Sequence, residues 1–365
     1  MFKIVKNDKL QKKNKRIVQI TAVVGMILFT GIFVISMGYN PFEFFYKMIY
    51  GAIGDGRKIL QTFERTIPLL ITSMGILIAF KMKFWNIGGE GQIIMGAWGA
   101  TFVALFVAPN LPGILLIPLM MVGGIVAGGI WALIPAFFKV NFGTNETIFT
   151  LMLNYIAINF VTFLQYGPWK DPAAIGFPVI PRFGENAVLP EIFGLHMGII
   201  FAIIAVIFVR VFINNTKKGY EISVVGESIG TAKYAGINIK GVTIFAMLIS
   251  GGLCGLAGMI QASAIENTLT AGISAGIGFT AIITTWIGRL KPELVAVVCF
   301  LFAMLTQGGS YVEIAMAMPA AVAGMIQGLI LFFVLGAEFF INYKIVRKGS
   351  KHLDYETNAV KGGGE

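Results

Sequence analysis

Long apolar stretches alternate with short polar segments along almost the whole chain. Apolar runs of about 20 residues match the thickness of a bilayer when they are helical. The pattern predicts an all-α integral membrane protein with about ten transmembrane helices. The candidate spans are residues 17–38, 66–82, 87–108, 112–137, 146–166, 196–213, 242–264, 272–288, 293–308 and 316–340.

The composition agrees with a membrane protein. The chain of 365 residues is 56% hydrophobic and 13% charged, whereas soluble proteins carry about 25% charged residues. The net charge of +10 could indicate a nucleic-acid partner, but the basic residues are divided among the tails and short loops. Cys254 and Cys299 lie inside apolar runs and are interpreted as packing residues. No His, Cys and carboxylate group has metal-ligand spacing, so we expect no bound metal.

The chain divides into a basic tail at residues 1–16, one transmembrane domain at 17–340 and a polar tail at 341–365. The first apolar run is longer than the core of a signal peptide and ends without an A-x-A site, so we expect an uncleaved span. Residues 39–65 mix charges with aromatics and could hold a helix along the membrane surface. Residues 167–195 contain five prolines and predict an irregular cap.

Basic residues predict the orientation of the chain. With the N-terminus in the cytoplasm, 22 of the 28 Lys and Arg residues fall in cytoplasmic segments, as the positive-inside rule requires. An even number of spans returns the C-terminus to the cytoplasm. Five spans on each side of the 167–195 segment would form two inverted halves, an arrangement found in many transporters.

Small residues recur four positions apart in several spans, which favours close contact between helix backbones in lipid. Three glycines surround Glu90 and weaken the helix there. The spaced sets are Gly88/Gln92/Gly96/Ala100, Gly124/Gly128, Gly251/Gly255 and Gly324/Gly328.

Polar side chains within the spans are the candidates for a substrate path. They are mostly neutral, with tryptophans available for stacking, and they suit a neutral, hydrogen-bonding and aromatic solute. Glu90 can either line the path or its inner gate, or satisfy neighbouring helix ends. Glu146 can either line the path or open a helix together with the capping residues Thr144 and Asn145. The candidates are Asn86, Glu90, Gln92, Asn145, Glu146, Asn154 and Trp286.

A polar segment, "KKGYEISVVGESIGTAKYAGINIKG", follows the sixth span. Ser228 can cap a short helix at residues 229–235 that Gly236 closes. An apolar stripe is expected on it, formed by Ile222, Val225, Ile229 and Ala232. Two interpretations fit the stripe: a helix lying on the lipid surface, and a docking helix for a cytoplasmic partner.

Three motifs resemble the permease subunits of ATP-binding-cassette importers for sugars, branched-chain amino acids and nucleosides. In "VVGESIGTAKYAGINIKGVTIFAMLISGGLCGLAGMIQA", the matching residues are Val225, Gly226 and Ala232 through Ile237. Ser228 and Thr231 stand where the family often has Asn and Ala. The stretches "FWNIGGEGQIIMGA" and "TNETIFTLMLNYIA" are similar to the nucleoside branch. The resemblance covers about residues 66 to 340.

The resemblance implies a transport subunit, not an enzyme, in the plasma membrane of a bacterium. The chain lacks a G-x-x-x-x-G-K-[ST] motif, so a separate ATPase would hold ATP and Mg²⁺, and the chain itself would bind no cofactor. The resemblance further implies a substrate-binding lipoprotein outside the cell and a second, different permease subunit. The ATPase would dock on the coupling loop, residues 214–241, at Gly226, Glu227, Ser228, Ala232, Tyr234, Ala235 and Gly236.

Three alternatives compete with nucleoside import. The substrate could be ribose or another simple sugar, transported by the same kind of permease. An ion-coupled secondary transporter would work without an ATPase. An intramembrane enzyme would need a nucleophile–base pair or a metal site. The chain contains two histidines, so this alternative fits the sequence poorly.

Overall fold

The structure, a computed structural model, describes residues 2–6 and 12–347. The described residues are mostly helical, and the part of the polar tail beyond residue 347 lies outside them. The helices are α1 (Lys12–Ser36), α2 (Pro41–Ile53), α3 (Gly56–Lys81), α4 (Gly89–Phe102), α5 (Gly113–Phe142), α6 (Glu146–Tyr166), α7 (Gly198–Asn215), α8 (Lys217–Glu227), α9 (Ile229–Tyr234), α10 (Ile239–Ile260), α11 (Ile277–Ile287), α12 (Pro292–Ala315) and α13 (Ala320–Asn342). Four short strands complete the fold: β1 (Phe2–Lys6), β2 (Glu191–Ile192), β3 (Leu195–His196) and β4 (Tyr343–Arg347).

The chain divides into two compact units. Met1–Gly51 and Gly308–Glu365 form the first unit, and Ala52–Gln307 form the second. In the first unit α1 packs against α13, and α2 turns away from α1 by 113°. The two ends of the chain also meet in this unit, because β1 pairs with β4 in an antiparallel register that sets Phe2 opposite Arg347.

The core of the second unit is formed by α3, α4, α5 and α10. Glycines allow these helices to touch. A Cβ added to Gly255 would stand 2.2 Å from the carbonyl oxygen of Gly124, and one added to Gly96 would stand 2.2 Å from the Cα of Gly255. Close packing at the spaced small residues is therefore confirmed on α4, α5 and α10. For Gly324 and Gly328 of α13 it stays a prediction, since an added Cβ there would meet no atom of the described residues within 4 Å.

Every predicted span contains a helix, and seven helices among the described residues are long and apolar enough to cross a membrane. The bent pair α1 and α2 would make an eighth. The predicted span at 272–288 contains only α11, whose 11 residues reach about 16 Å against a hydrocarbon core of about 30 Å. The apolar part of α13, Ala320–Ile330, is also short. The count of ten spans stays a prediction.

The central helix α4 begins after an irregular segment, and α4 and α10 both change their winding at their C-terminal ends. The chain is irregular at residues 82–88, so α4 begins only at Gly89, and both α4 and α10 continue as π-helical turns, at Val103–Val107 and Gln261–Glu266. The glycines around Glu90 were expected to break the helix there. The break ends at Gly88, the first of these glycines, whereas Gly89, Glu90 and Gly91 lie in the first turn of α4.

The segments assigned to the outer side combine a helix with irregular chain. Residues 39–65 hold α2 and the first turns of α3, which starts ten residues earlier than its apolar run. Asp55 caps α3 by accepting a hydrogen bond from the Lys58 N–H at 3.0 Å, and its hydrogen bonds with Lys58 hold the pKa of Asp55 below the usual value. Residues 167–195 are irregular, as predicted, apart from a 3₁₀ turn at Glu185–Ala187 and the β2–β3 hairpin.

Candidate translocation site

The irregular segment before α4 is held in place by polar side chains of α6. The side-chain amide of Asn154 donates to the Ile87 carbonyl at 2.9 Å and accepts from the Gly91 N–H at 2.8 Å. The Thr150 hydroxyl accepts from the Ile87 N–H at 3.2 Å. Unpaired backbone groups are costly away from water. The two motifs "NIGGEGQ" and "TNETIFTLMLNY" therefore form one structural unit.

A pair of amides closes the same segment from within. Asn86 and Gln92 are 0% and 1% exposed. The Gln92 Nε2 group donates to Asn86 Oδ1 at 3.1 Å, and Asn86 Nδ2 donates back to Gln92 Oε1 at 3.2 Å. Asn86 Oδ1 also accepts from the Gly88 N–H at 3.0 Å. Both side chains are thus engaged with each other and with the chain around them.

Glu90 reaches from α4 to the N-terminus of α11. Its carboxylate is buried, and Oε1 accepts hydrogen bonds from the N–H groups of Gly278 at 2.8 Å and Phe279 at 3.3 Å. An anion is favourable there because the first N–H groups of a helix lack partners. The close approach of α4 to α11 requires glycine at position 278, because a Cβ there would stand 2.3 Å from the Glu90 backbone nitrogen. This geometry fits the interpretation that Glu90 satisfies a neighbouring helix end, and its place in a path stays a prediction.

Asn145 and Glu146 open α6, as the capping interpretation expects. Asn145 Oδ1 accepts from the N–H groups of Thr147 at 3.0 Å and Ile148 at 3.3 Å. Glu146 forms an ion pair with Lys139 at 2.6 Å. Both candidates lie about two helical turns before Asn154, and their lining role is untested.

Trp286 lies near the opposite end of α11 from Glu90, in an aromatic cluster. Its ring stacks on Trp85 at a centroid distance of 5.4 Å, and both rings lie close to Phe80. Trp85 and Trp286 are 45% and 44% exposed. Trp85 was not among the predicted residues, although its position one residue before Asn86 in the irregular segment was a usable signal.

Side chains of three helices fix the middle of α11. The hydroxyls of Ser73 on α3 and Thr284 on α11 are 2.8 Å apart, and Thr285 donates to the Ser73 carbonyl at 3.2 Å. The Cys299 thiol of α12 donates to the Ser73 hydroxyl at 3.3 Å. Cys299 and Cys254 are both fully buried, which confirms their interpretation as packing residues.

The predicted coupling helix is present. Ser228 caps α9 through a hydrogen bond from the Thr231 N–H at 3.2 Å. Gly236, with φ of 69°, ends it together with the bond from the Ile237 N–H to the Ala232 carbonyl at 3.0 Å. This is the Schellman arrangement that glycine favours after a helix.

The expected apolar stripe on this segment is interrupted. Ile222, Val225 and Ala232 are buried, but Ile229 is 59% exposed. The cause is the extended backbone of Ser228, with φ of −154°, which separates α8 from α9 and changes the direction of the second helix.

The other predicted coupling residues separate into a packed end and an exposed end. Gly226 is buried against the end of α3, where an added Cβ would stand 2.1 Å from the Lys81 carbonyl oxygen. Tyr234 is 97% exposed. The remaining exposed members are Glu227, Ser228, Ala235 and Gly236.

Residues 58–335 match the protein family described as branched-chain amino acid transport system / permease component. This range is well over half of the chain. The chain belongs to this permease family.

Similar proteins carry names of three kinds of permease. A glucose ABC transporter permease protein of Haloferax volcanii is 30% identical over 89% of this chain and 88% of its own length. A nucleoside ABC transporter permease protein of Lactococcus lactis is 29% identical over 88% of this chain and 91% of its own. A guanosine ABC transporter permease protein of Bacillus subtilis is 27% identical over 91% of this chain and 96% of its own length.

Membership of the family fixes the general role. The permease is a multi-pass membrane protein and a transport subunit, not an enzyme. As an ABC permease it works with an ATPase and a substrate-binding partner.

Two grooves on the surface of α6 lie apart from the candidate residues at the start of α4. They have volumes of about 500 Å³ and 440 Å³ and mostly apolar linings, which include Met152 and Ile156 in both. Asn145 borders the smaller groove, and Asn159 borders the larger one. Neither groove is lined by Glu90, Gln92 or Trp286.

We expect Asn154→Leu to destabilise the permease strongly. The substitution removes a buried amide and leaves the Ile87 carbonyl and Gly91 N–H without these partners, at about 1–3 kcal/mol for each buried unsatisfied group. Asn159→Leu is the matched control, because Asn159 is exposed on another face of the same helix. Thermal unfolding in detergent measures both. Equal melting temperatures for the two variants would contradict the bridging role of Asn154.

Proposed function

We propose that this permease moves nucleosides into a bacterial cell, driven by a separate ATPase. The observation that carries the proposal is the pair of full-length relatives whose names state nucleoside and guanosine transport. The chemistry of the candidate site is compatible with this. Trp85 and Trp286 are 45% and 44% exposed, so part of each ring is available for a base to stack on.

The proposed topology has ten spans in two inverted halves of five, with both termini in the cytoplasm. The distribution of basic residues supports this orientation, since 22 of 28 fall on the proposed cytoplasmic side. The antiparallel pairing of β1 with β4 supports the even number of spans, because residues 2–6 and 343–347 must then lie on the same side of the membrane.

In the proposed mechanism the ATPase grips the exposed part of α9 and the end of α8. Gly226 is in contact with Lys81 and Met82 at the end of α3, and the irregular segment at 82–88 starts there. A movement of α8 is therefore transmitted directly to the segment that carries Trp85 and Asn86. The proposed partners are a lipid-anchored substrate-binding protein outside and a second, different permease subunit. ATP and Mg²⁺ are bound by the ATPase, and this chain binds no cofactor.

A sugar is the second candidate substrate. The specific observation that favours it is the glucose permease of Haloferax volcanii, which is 30% identical to this chain. Hydrogen-bonding amides and aromatic rings also suit a sugar. An ion-coupled mechanism has less support, because the named relatives are all permeases of ABC transporters.

The substrate is tested by uptake into vesicles that contain the complete transporter. We expect ATP-dependent uptake of labelled uridine that excess guanosine or adenosine competes away, with little effect from equal amounts of glucose or ribose. If glucose or ribose competed with uptake and the nucleosides did not, the chain would be a sugar permease and the nucleoside proposal would be wrong. Uphill uptake without the ATPase would contradict the whole mechanism.

We expect Glu90→Gln to lower uridine uptake about tenfold at matched expression. The neutral amide retains an oxygen near Gly278 and Phe279, but charge-assisted hydrogen bonds are about twice as strong as neutral ones, so α11 is held less firmly. Glu146→Gln is the comparison, because Asn145 still caps α6, and we expect less than a twofold loss. Uptake at the wild-type rate by both variants would exclude Glu90 from the path and its gate.

Gly226→Ala should uncouple ATP hydrolysis from transport. Its Cβ would overlap the Lys81 carbonyl, so α8 must move away from α3. Gly230→Ala is the matched control on α9, because its Cβ would meet only the Ser228 hydroxyl at 3.6 Å. Uptake and ATPase activity are measured on purified complexes. We expect Gly226→Ala to retain the ATPase subunit but lose at least tenfold in uptake per ATP hydrolysed. A normal ratio in Gly226→Ala would argue against transmission through this contact.

A further inference from the structure

The tip of the β2–β3 hairpin holds a phenylalanine in an unfavourable backbone conformation. Phe193 and Gly194 join the two strands, with φ of 55° and 79°. Two positive φ angles in a two-residue loop define the type I′ turn, in which Asn followed by Gly is the favoured pair. A side chain with a Cβ is disfavoured in this left-handed region, and phenylalanine offers no compensating local hydrogen bond.

Burial does not offset this strain, because the Phe193 side chain is 98% exposed. A second apolar tip lies in the same inter-span segment, where Ile175 is 101% and Phe177 is 87% exposed on either side of Gly176. A strained and fully exposed aromatic residue contributes little to folding. Strain of this kind is characteristic of functional positions.

The hairpin lies on the membrane side opposite to the coupling segment. Gly198, two residues after β3, begins the span α7, and Lys217, two residues after α7, begins α8. If α8 and α9 meet the ATPase in the cytoplasm, the hairpin faces outward. The inference below therefore rests on the proposed function for its orientation.

The neighbours of the hairpin indicate its height above the membrane. A Cβ on Gly194 would stand 3.3 Å from Leu60, in the charged first turns of α3. Leu60 precedes the start of the apolar run at Thr66 by six residues, or about 9 Å along the helix. Glu64 and Arg65 lie between the two positions. Counted along α3, the backbone of the tip therefore lies on the outer side of the apolar run.

We propose that Phe193 is the docking anchor for the substrate-binding protein on the outer face, with the exposed tip of Ile175 and Phe177 as a second contact. Exposed aromatic and aliphatic anchors within a polar rim are the usual composition of a protein interface. Polar residues of the same segment, Arg182, Glu185 and Glu191, are also exposed. The family implies a substrate-binding partner in general, the proposed orientation puts that partner on this side, and the place of the tip outside the apolar run favours a protein contact over the hydrocarbon core.

Phe193→Asn tests the anchor without harming the turn. Asn-Gly is the favoured type I′ pair, so we expect the melting temperature of the complex in nanodiscs to stay the same or rise. The affinity of the substrate-binding protein of the same transporter, purified without its lipid, should fall at least tenfold. Phe193→Tyr keeps the aromatic ring and should bind within twofold of wild type. Wild-type affinity in Phe193→Asn would overturn the proposal.

A fluorescence measurement on Phe193→Trp distinguishes the possible occupants. The spectrum of the wild-type complex is subtracted to remove the other tryptophans. We expect a blue shift only when the substrate-binding protein is added. A blue shift in nanodiscs without that protein would identify lipid as the occupant, and a shift that depends on permease concentration would identify a second copy. Either result would overturn the proposal.

The test separates this inference from the proposed substrate. Affinity for the partner protein is measured whatever solute that protein carries. Loss of affinity in Phe193→Asn, with no uridine uptake by the wild type, would support the anchor and contradict the nucleoside proposal. Unchanged affinity, with normal uridine uptake by the wild type, would contradict only the anchor.

Discussion

The structure depends on one constraint: a peptide group that leaves a helix where the protein excludes water needs another partner. Residues 82–88 leave the helical path between α3 and α4, and side chains replace their missing backbone bonds. Thr150 and Asn154 supply partners from α6, and the amides of Asn86 and Gln92 supply them locally. The irregular segment is stable because four polar side chains converge on it. Those side chains are then largely committed to the protein itself.

The same constraint explains the position of α11. This helix is too short to cross the bilayer alone, and Gly278 in its first turn is buried against α4. Glu90 meets the free N–H groups at that end, and Ser73 holds Thr284 and Thr285 further along. One element therefore connects the irregular segment, α3 and the aromatic pair at Trp286. A displacement of the irregular segment would act on α11 through Glu90.

Local features of the sequence were sufficient for much of this fold. Each apolar run that was predicted to span the membrane contains a helix. The capping preferences of Asn145 and Ser228 predicted where α6 and α9 begin. Interactions between distant residues were not predictable in this way. The contact between Asn154 and Gly91 joins positions 63 residues apart. The exposure of Ile229 depends on the backbone of one residue, Ser228, and hydropathy does not report that.

The polar residues that seemed suited to hold a solute satisfy one another, which changes the expected means of recognition. Breaking the bonds of Asn86, Gln92 or Asn154 for each solute would cost about 1–3 kcal/mol for every group left unpaired. Trp85, Trp286 and Phe279 are 45%, 44% and 44% exposed, and stacking on the exposed part of a ring breaks none of these hydrogen bonds. For the proposed nucleoside substrate, stacking on an aromatic ring is worth about 1–3 kcal/mol per base and tolerates different bases. A channel of this kind would pass a solute that a separate binding protein has already selected, and selectivity would then reside in that protein.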